Sequence, residues 1–305
     1  MINAYESNGS AYAGRTMTGG PSVAPDDRKL QAMVDLLADD DPSIRARIIA
    51  HLTRAGERAV VALESAARTA AHPDRISEAL TAIQRDDALR ELDGFRSMEP
   101  DGPAETGALL VARVIDPRVD TGEVLRFLDQ LADAAPGAMR DADPQAALQA
   151  LAEYMHADWE FDGARTDYPN PANSLLHQVV TRRTGLPITL SVAYLAVADR
   201  VGMPLQGVGL PAHFVLRHPG ARDRPYLDPF NRARLLTEAD CEEIVHTHGF
   251  TLRPEHLASV SPQEIAARIC RNLILAYRRQ HDSRREEFAR EAHRRLRPGQ
   301  DMLTV

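Results

Sequence analysis

An α+β protein is what this chain of 305 residues predicts. Three observations point there. Helical periodicity runs through most of the chain; two short β-type segments, bearing His213 and Asp228, interrupt it; and helices with capping signals resume after them. The length accommodates two domains, or one large domain with an appendage. The divisions expected are a disordered tail over residues 1–26, a helical subdomain over 27–96, a core with a small antiparallel sheet over 105–250, and a helical appendage over 251–305.

The N-terminal subdomain is helical on its spacing. Leu30, Met33, Val34 and Leu37 mark one apolar face at i, i+3, i+4, i+7. Asp41-Pro42-Ser43 breaks that helix, and Pro42 opens the next, where a missing N–H is harmless. Ile44, Ile48, Ile49 and Leu52 form the second stripe, and Gly56 ends it. Short helices joined by short turns stack in layers, and the Asp-Asp-Pro-Ser-Ile-Arg phrase with its helix is similar to a HEAT-type hairpin. Pro100, Gly102 and Pro103 make Met98–Gly107 a surface connection, after which Leu109–Ile115, Val124–Ala132 and Ala146–Met155 read as amphipathic helices.

In the central stretch Asn173 is placed to cap a helix over Ser174–Arg183, its side chain accepting from free N–H groups of the first turn. Gly185 ends that helix. Pro187 sits in the first turn of the next, whose residues Leu190–Val201 are apolar on nearly every side, the pattern of a buried helix. Val208–Leu210 and His213–Leu216 read as strands, joined to Tyr226 by a turn-rich loop. Thr237 with Asp240, and Ser261 with Glu264, are capping-box starts for helices reaching Thr247 and Arg279. The last helix, Ser283–Leu296, interleaves arginines with Glu286, Glu287 and Glu291, a solvated face carrying i, i+4 pairs.

Composition excludes several functions. A net charge of -8 leaves no surplus of positive charge for a general nucleic-acid role. No run of about 18 apolar residues exists, so no membrane-spanning helix is expected. The first 27 residues have neither a basic n-region nor an apolar h-region, and a cytoplasmic protein is expected. Cys241 and Cys270, the only cysteines, have no metal-site or redox-pair spacing and read as reduced thiols. Glu153 with His156, and His246 with His248, lack a third ligand, so neither metal nor cofactor is expected.

Four phrases in fixed order carry a resemblance: Asn173-Ser174-Leu175-Leu176; Arg182-Arg183-Thr184-Gly185-Leu186-Pro187-Ile188; Gly207-Val208-Gly209-Leu210-Pro211-Ala212-His213-Phe214; and Asp228-Pro229-Phe230. Over roughly residues 109–277 the chain resembles the SirB-type transglutaminase-like family. There a transglutaminase-like, papain-like core is followed by helices of tetratricopeptide type, and a similar core occurs in an animal F-box protein. The resemblance implies a nucleophilic Cys at the N-terminus of the buried helix, where the helix dipole lowers its pKa, with His and Asp following on neighbouring strands to activate it. His213 and Asp228 match the second and third positions. The first is held by Pro187, which has no nucleophile.

The reading that follows is a non-catalytic transglutaminase-like protein that binds a protein or peptide partner, but no nucleic acid or membrane, in a cleft bordered by Pro187, His213 and Asp228. Asn173, Thr189, Phe214 and Tyr226 are the further candidate binding residues. The alternative is a hydrolase or acyl transferase acting on amide or thioester bonds, with Ser191 or water as nucleophile for the His213-Asp228 pair. Ser191 lies four residues beyond Pro187 on the same helical face, whereas Thr189 is rotated about 200° from it. A serine hydroxyl inside an apolar helix more commonly bonds the carbonyl four residues back. In a third reading the helical arrays bind and the core only supports them.

Overall fold

The computed structural model describes residues 25–98, 102–140 and 143–299, and most of the tail expected over 1–26 lies outside them. The chain divides into two compact units between Ile76 and Ser77. The first contains α1 (Pro25–Asp35), α2 (Pro42–Ala55) and α3 (Glu57–Ala67), and α4 (Pro73–Arg96) begins in it. Pro42 stands in the first turn of α2, whose N-cap Asp41 accepts from the Ser43 N–H, and Gly56 follows at φ 59°. Arg75 fastens the α1–α2 corner by donating to the Ala38 and Asp39 carbonyls at 2.5 and 3.0 Å.

The second unit carries the sheet. Its helices are the rest of α4, then α5 (Ala104–Ile115), α6 (Thr121–Asp133), α7 (Pro144–Glu153), α8 (Leu176–Arg182), α9 (Pro187–Arg200), α10 (Glu238–Thr247), α11 (Pro262–Arg279) and α12 (Ser283–Leu296). The surface connection expected over Met98–Gly107 is shorter than its sequence signals, because Ala104 to Gly107 already form the buried first turn of α5. α9 is the axis of the unit. Eleven of its residues are buried, among them Leu190, Val192, Tyr194 and Val197, and each buried Leu or Val contributes about 1.5–3 kcal/mol. α11 and α12 are no detached appendage: Ile265, Cys270, Leu273, Ala289 and Leu296 share one apolar cluster with α5 and α9.

The sheet is antiparallel in the order β3 (Gln206–Val208), β4 (Val215–Arg217), β5 (Tyr226–Asp228), β6 (Arg234–Leu236). A two-residue parallel pair, β1 (Asp162–Gly163) with β2 (Thr184–Gly185), lies outside it. The strand expected at Val208–Leu210 forms two residues earlier, and the one expected at His213–Leu216 starts two residues later and ends one later. The intervening turn places Ala212 at φ 60° and delays pairing until Val215. His213 therefore precedes its strand. Thr237 and Asp240 form a reciprocal capping box on α10. On α11 Ser261 accepts from the Glu264 N–H, but the Glu264 carboxylate turns away to Arg271 and Arg297 instead of closing the box.

Candidate functional site

The cleft is built by three segments meeting at the N-terminus of α9. α8 ends at Arg183, a left-handed residue at φ 54°, which turns the chain into β2. Pairing with β1 then delivers Leu186 and Pro187. Asn173 fixes this corner from beneath. It belongs to a 3₁₀ turn, Pro171–Ser174, capped by Asn170, while α8 starts only at Leu176. The expected cap of a Ser174–Arg183 helix is therefore corrected: fully buried, Asn173 is committed to several loop contacts. Its Nδ2 donates to the Asp167 carbonyl at 2.6 Å, its Oδ1 accepts from Arg182 at 3.1 Å, and its carbonyl accepts the Leu186 N–H at 2.9 Å. Through its side chain and its carbonyl, this one residue joins the Tyr168 loop to the start of α9.

The second segment is the turn before β4, where the His213 N–H donates to the Leu210 carbonyl. The third is the end of β5. Asp228 Oδ1 accepts the Phe230 and Asn231 N–H groups at 3.1 and 3.2 Å; Oδ2 accepts Asn231 Nδ2 at 2.7 Å and His213 Nε2 at 2.9 Å. Burial pushes the Asp228 carboxyl up, but the hydrogen bond and charge of His213, joined by Asn231, hold it below the usual carboxylate range. An ionised carboxylate only accepts, so Nε2 carries the proton of this bond. Nδ1 makes no hydrogen bond among the described residues. The Phe230 ring meets the imidazole edge-on at 6.2 Å between centroids and backs it.

Around His213 lies a cavity of about 110 Å³ lined by Tyr168, Pro187, Ile188, Ala212, His213, Phe214, Arg268 and Asn272. Of the residues expected from sequence, Pro187, His213 and Phe214 line it and Asp228 stands behind His213. The others are elsewhere. Ser191 is fully buried, and its Oγ donates to the Pro187 carbonyl at 2.8 Å, with no hydrogen bond to His213. Thr189 is buried with its hydroxyl unpartnered. Tyr226 packs into the apolar cluster of Val208, Val215, Leu236 and Cys241 on the sheet. Burial pushes both thiols up to about 12, and neither lines the cavity. Cys270 lies two positions from both Arg268 and Asn272, about 200° around α11, and faces the core.

Arg268 and Asn272 escaped the sequence reading. They stand one turn apart on α11. Arg268 Nη2 donates to the Leu210 and His213 carbonyls at 2.9 and 3.3 Å, clamping the turn that presents the imidazole. A Cβ on Gly209 would lie 2.0 Å from Arg268 Nη1, so only glycine leaves room for this guanidinium. The available signal was a cation interrupting the apolar run Ile265-Ala266-Ala267-Arg268-Ile269-Cys270. Among the described residues no group of three or more His, Cys, Asp or Glu could hold a metal ion, and no helix is long and apolar enough to cross a membrane.

Comparison with known proteins agrees with this architecture. Residues 122–271 match the family model described as the transglutaminase-like superfamily. F-box only protein 21 of Mus musculus is 40% identical over 109 residues, covering 33% of this chain and 17% of that protein. A UPF0162 protein of Xylella fastidiosa (strain 9a5c) is 33% identical over 186 residues, covering 57% of this chain and 65% of its own length. A second, from Vibrio cholerae, is 29% identical over 170 residues, covering 53% and 62%. The chain thus spans less than a fifth of the mouse protein and somewhat under two thirds of the bacterial ones. No solved structure matches it. Residues 122–271, within the second unit, are thus similar to the transglutaminase-like superfamily.

Proposed function

We propose that the domain is a non-catalytic, SirB-type transglutaminase-like module of the cytoplasm that binds a protein or peptide partner through the His213 cleft. The observation that carries this reading is Pro187. It occupies the first turn of α9 in the same cavity as an imidazole already oriented by Asp228, and a pyrrolidine ring can neither attack a carbonyl nor yield a proton. A cavity of about 110 Å³ suits one side chain or one chain end of a partner, not a folded surface. The HEAT-like leader and tetratricopeptide-like C-terminal helices belong to the same proposal.

A second reading is favoured by the intact His213–Asp228 pair. With Nδ1 free, the pair could activate water against an amide or thioester bond; Ser191 as nucleophile would first have to release the Pro187 carbonyl. Turnover of amide and thioester substrates by wild type, His213→Ala and Ser191→Ala separates the readings, with partner capture measured in parallel. The binding reading expects equal background turnover in all three and capture weakened at least tenfold by His213→Ala. Turnover lost in His213→Ala would establish the enzyme.

A further inference from the structure

We infer that the group the cleft receives is a carboxylate, held by Arg268, Asn272 and the N-terminus of α9; this deepens, and rests on, the binding reading above. No acidic side chain is among the eight that line the cavity. Arg268 forms no ion pair among the described residues, and its only hydrogen bonds are those from Nη2 to two carbonyls. Burial lowers its pKa, with the charge of Arg271 adding to the effect, yet a guanidinium stays protonated. A half-buried cation without a counter-ion is an unfavourable arrangement that an anion in the cavity relieves. Asn272, half-buried on the next turn, makes no hydrogen bond among the described residues and adds an amide donor.

Two further features point into the same space. α9 runs for 14 residues from Pro187, and no side chain caps it, so its positive end is left for a ligand at the wall formed by Pro187 and Ile188. His213 is only 7% exposed and lines the same cavity, so its ring reports on what enters it. A carboxylate fits the volume, and it can accept from N–H groups of Arg268 that the two carbonyl contacts of Nη2 leave free. It could come from a chain terminus or from an acidic side chain.

The test follows the His213 ring proton by NMR in the full chain, assigned by its loss in His213→Ala. The probes are N-acetylglycine, the neutral N-acetylglycinamide, and N-acetylglutamate α-methylamide, whose only acid is on its side chain. The expected result is saturable movement with N-acetylglycine or the glutamate probe, at least tenfold weaker with the amide and at least tenfold weaker in Arg268→Gln. The tighter acid identifies the source. Equal response to acid and amide overturns the carboxylate while leaving a ligand-binding cleft; no response to any probe overturns the carboxylate too. Should Arg268→Gln fail to fold, the acid–amide comparison in wild type decides alone. Partner capture that is indifferent to His213→Ala marks the separate failure of the binding reading.

Discussion

His213 Nε2 stands 2.9 Å from Asp228 Oδ2, and the same carboxylate accepts three further hydrogen bonds from Phe230 and Asn231. The pair is therefore part of the turn that closes β5 as well as of the cleft. Asp228→Asn keeps one accepting oxygen and puts an amide donor where the other was, facing donors. The expected loss is about 3 kcal/mol, the scale for breaking a buried, charge-assisted cluster, read from the urea midpoint at pH 7. The sign of the pH dependence follows from the depressed Asp228 pKa. Its stabilisation is fully present above the unfolded value of about 3.9 and is lost as pH falls through the lower folded value. Asp228→Asn should lack that acid-side decline.

Two glycines make an ordered prediction. A Cβ at Gly163 would stand 2.4 Å from the Phe230 carbonyl oxygen, which is backbone and part of the Asp228 turn; at Gly209 it would meet the Arg268 guanidinium, the end of a side chain that can swing away. Gly163→Ala should therefore destabilise by about 3 kcal/mol and Gly209→Ala by about 1 kcal/mol, within the range for overpacking. Thermal unfolding gives the order. Gly209→Ala, although milder, should release the His213 turn from its clamp and shift the His213 ring resonance.

Both thiols should be silent in the native protein. Cys241 and Cys270 are fully buried, and burial raises each to about 12, so neither is a thiolate at pH 8. Ellman's reagent is expected to find no fast-reacting thiol before unfolding and both after it. A fast thiol in the folded state would mean that one of them reaches solvent.

Helices and caps were legible because local chemistry decides them. Pro42, Gly56, and Thr237 with Asp240 do in the structure what their side chains can do within three or four residues. Asn173 misled because Asn serves equally as a cap and as a buried connector. Only the fold shows that Asp167, Arg182 and Leu186 converge on it. His213 and Pro187 could be found by order along the chain. Arg268 lies 55 residues beyond His213, and no short-range pattern links an α11 side chain to that turn. β6 was missed because Arg234–Leu236 holds no β-branched or aromatic residue to mark it as a strand.

Pro187→Cys gives the sharpest check on the cleft. Proline occupies the first helical position, where its ring contributes no hydrogen bond, so the replacement should fold. The new thiol would sit in the first turn of α9, in the cavity shared with His213 and Arg268. The helix end and the nearby cation favour the thiolate over the thiol, so its pKa should fall at least one unit below the ordinary value of about 8.5. The pH dependence of iodoacetamide alkylation measures this directly, against a background in which the two native thiols do not react. Adding His213→Ala should move the midpoint back upward, because the imidazole can then no longer take the thiol proton. A midpoint at 8.5 or above in Pro187→Cys alone would show that the helix end, the imidazole and the guanidinium do not act on one point.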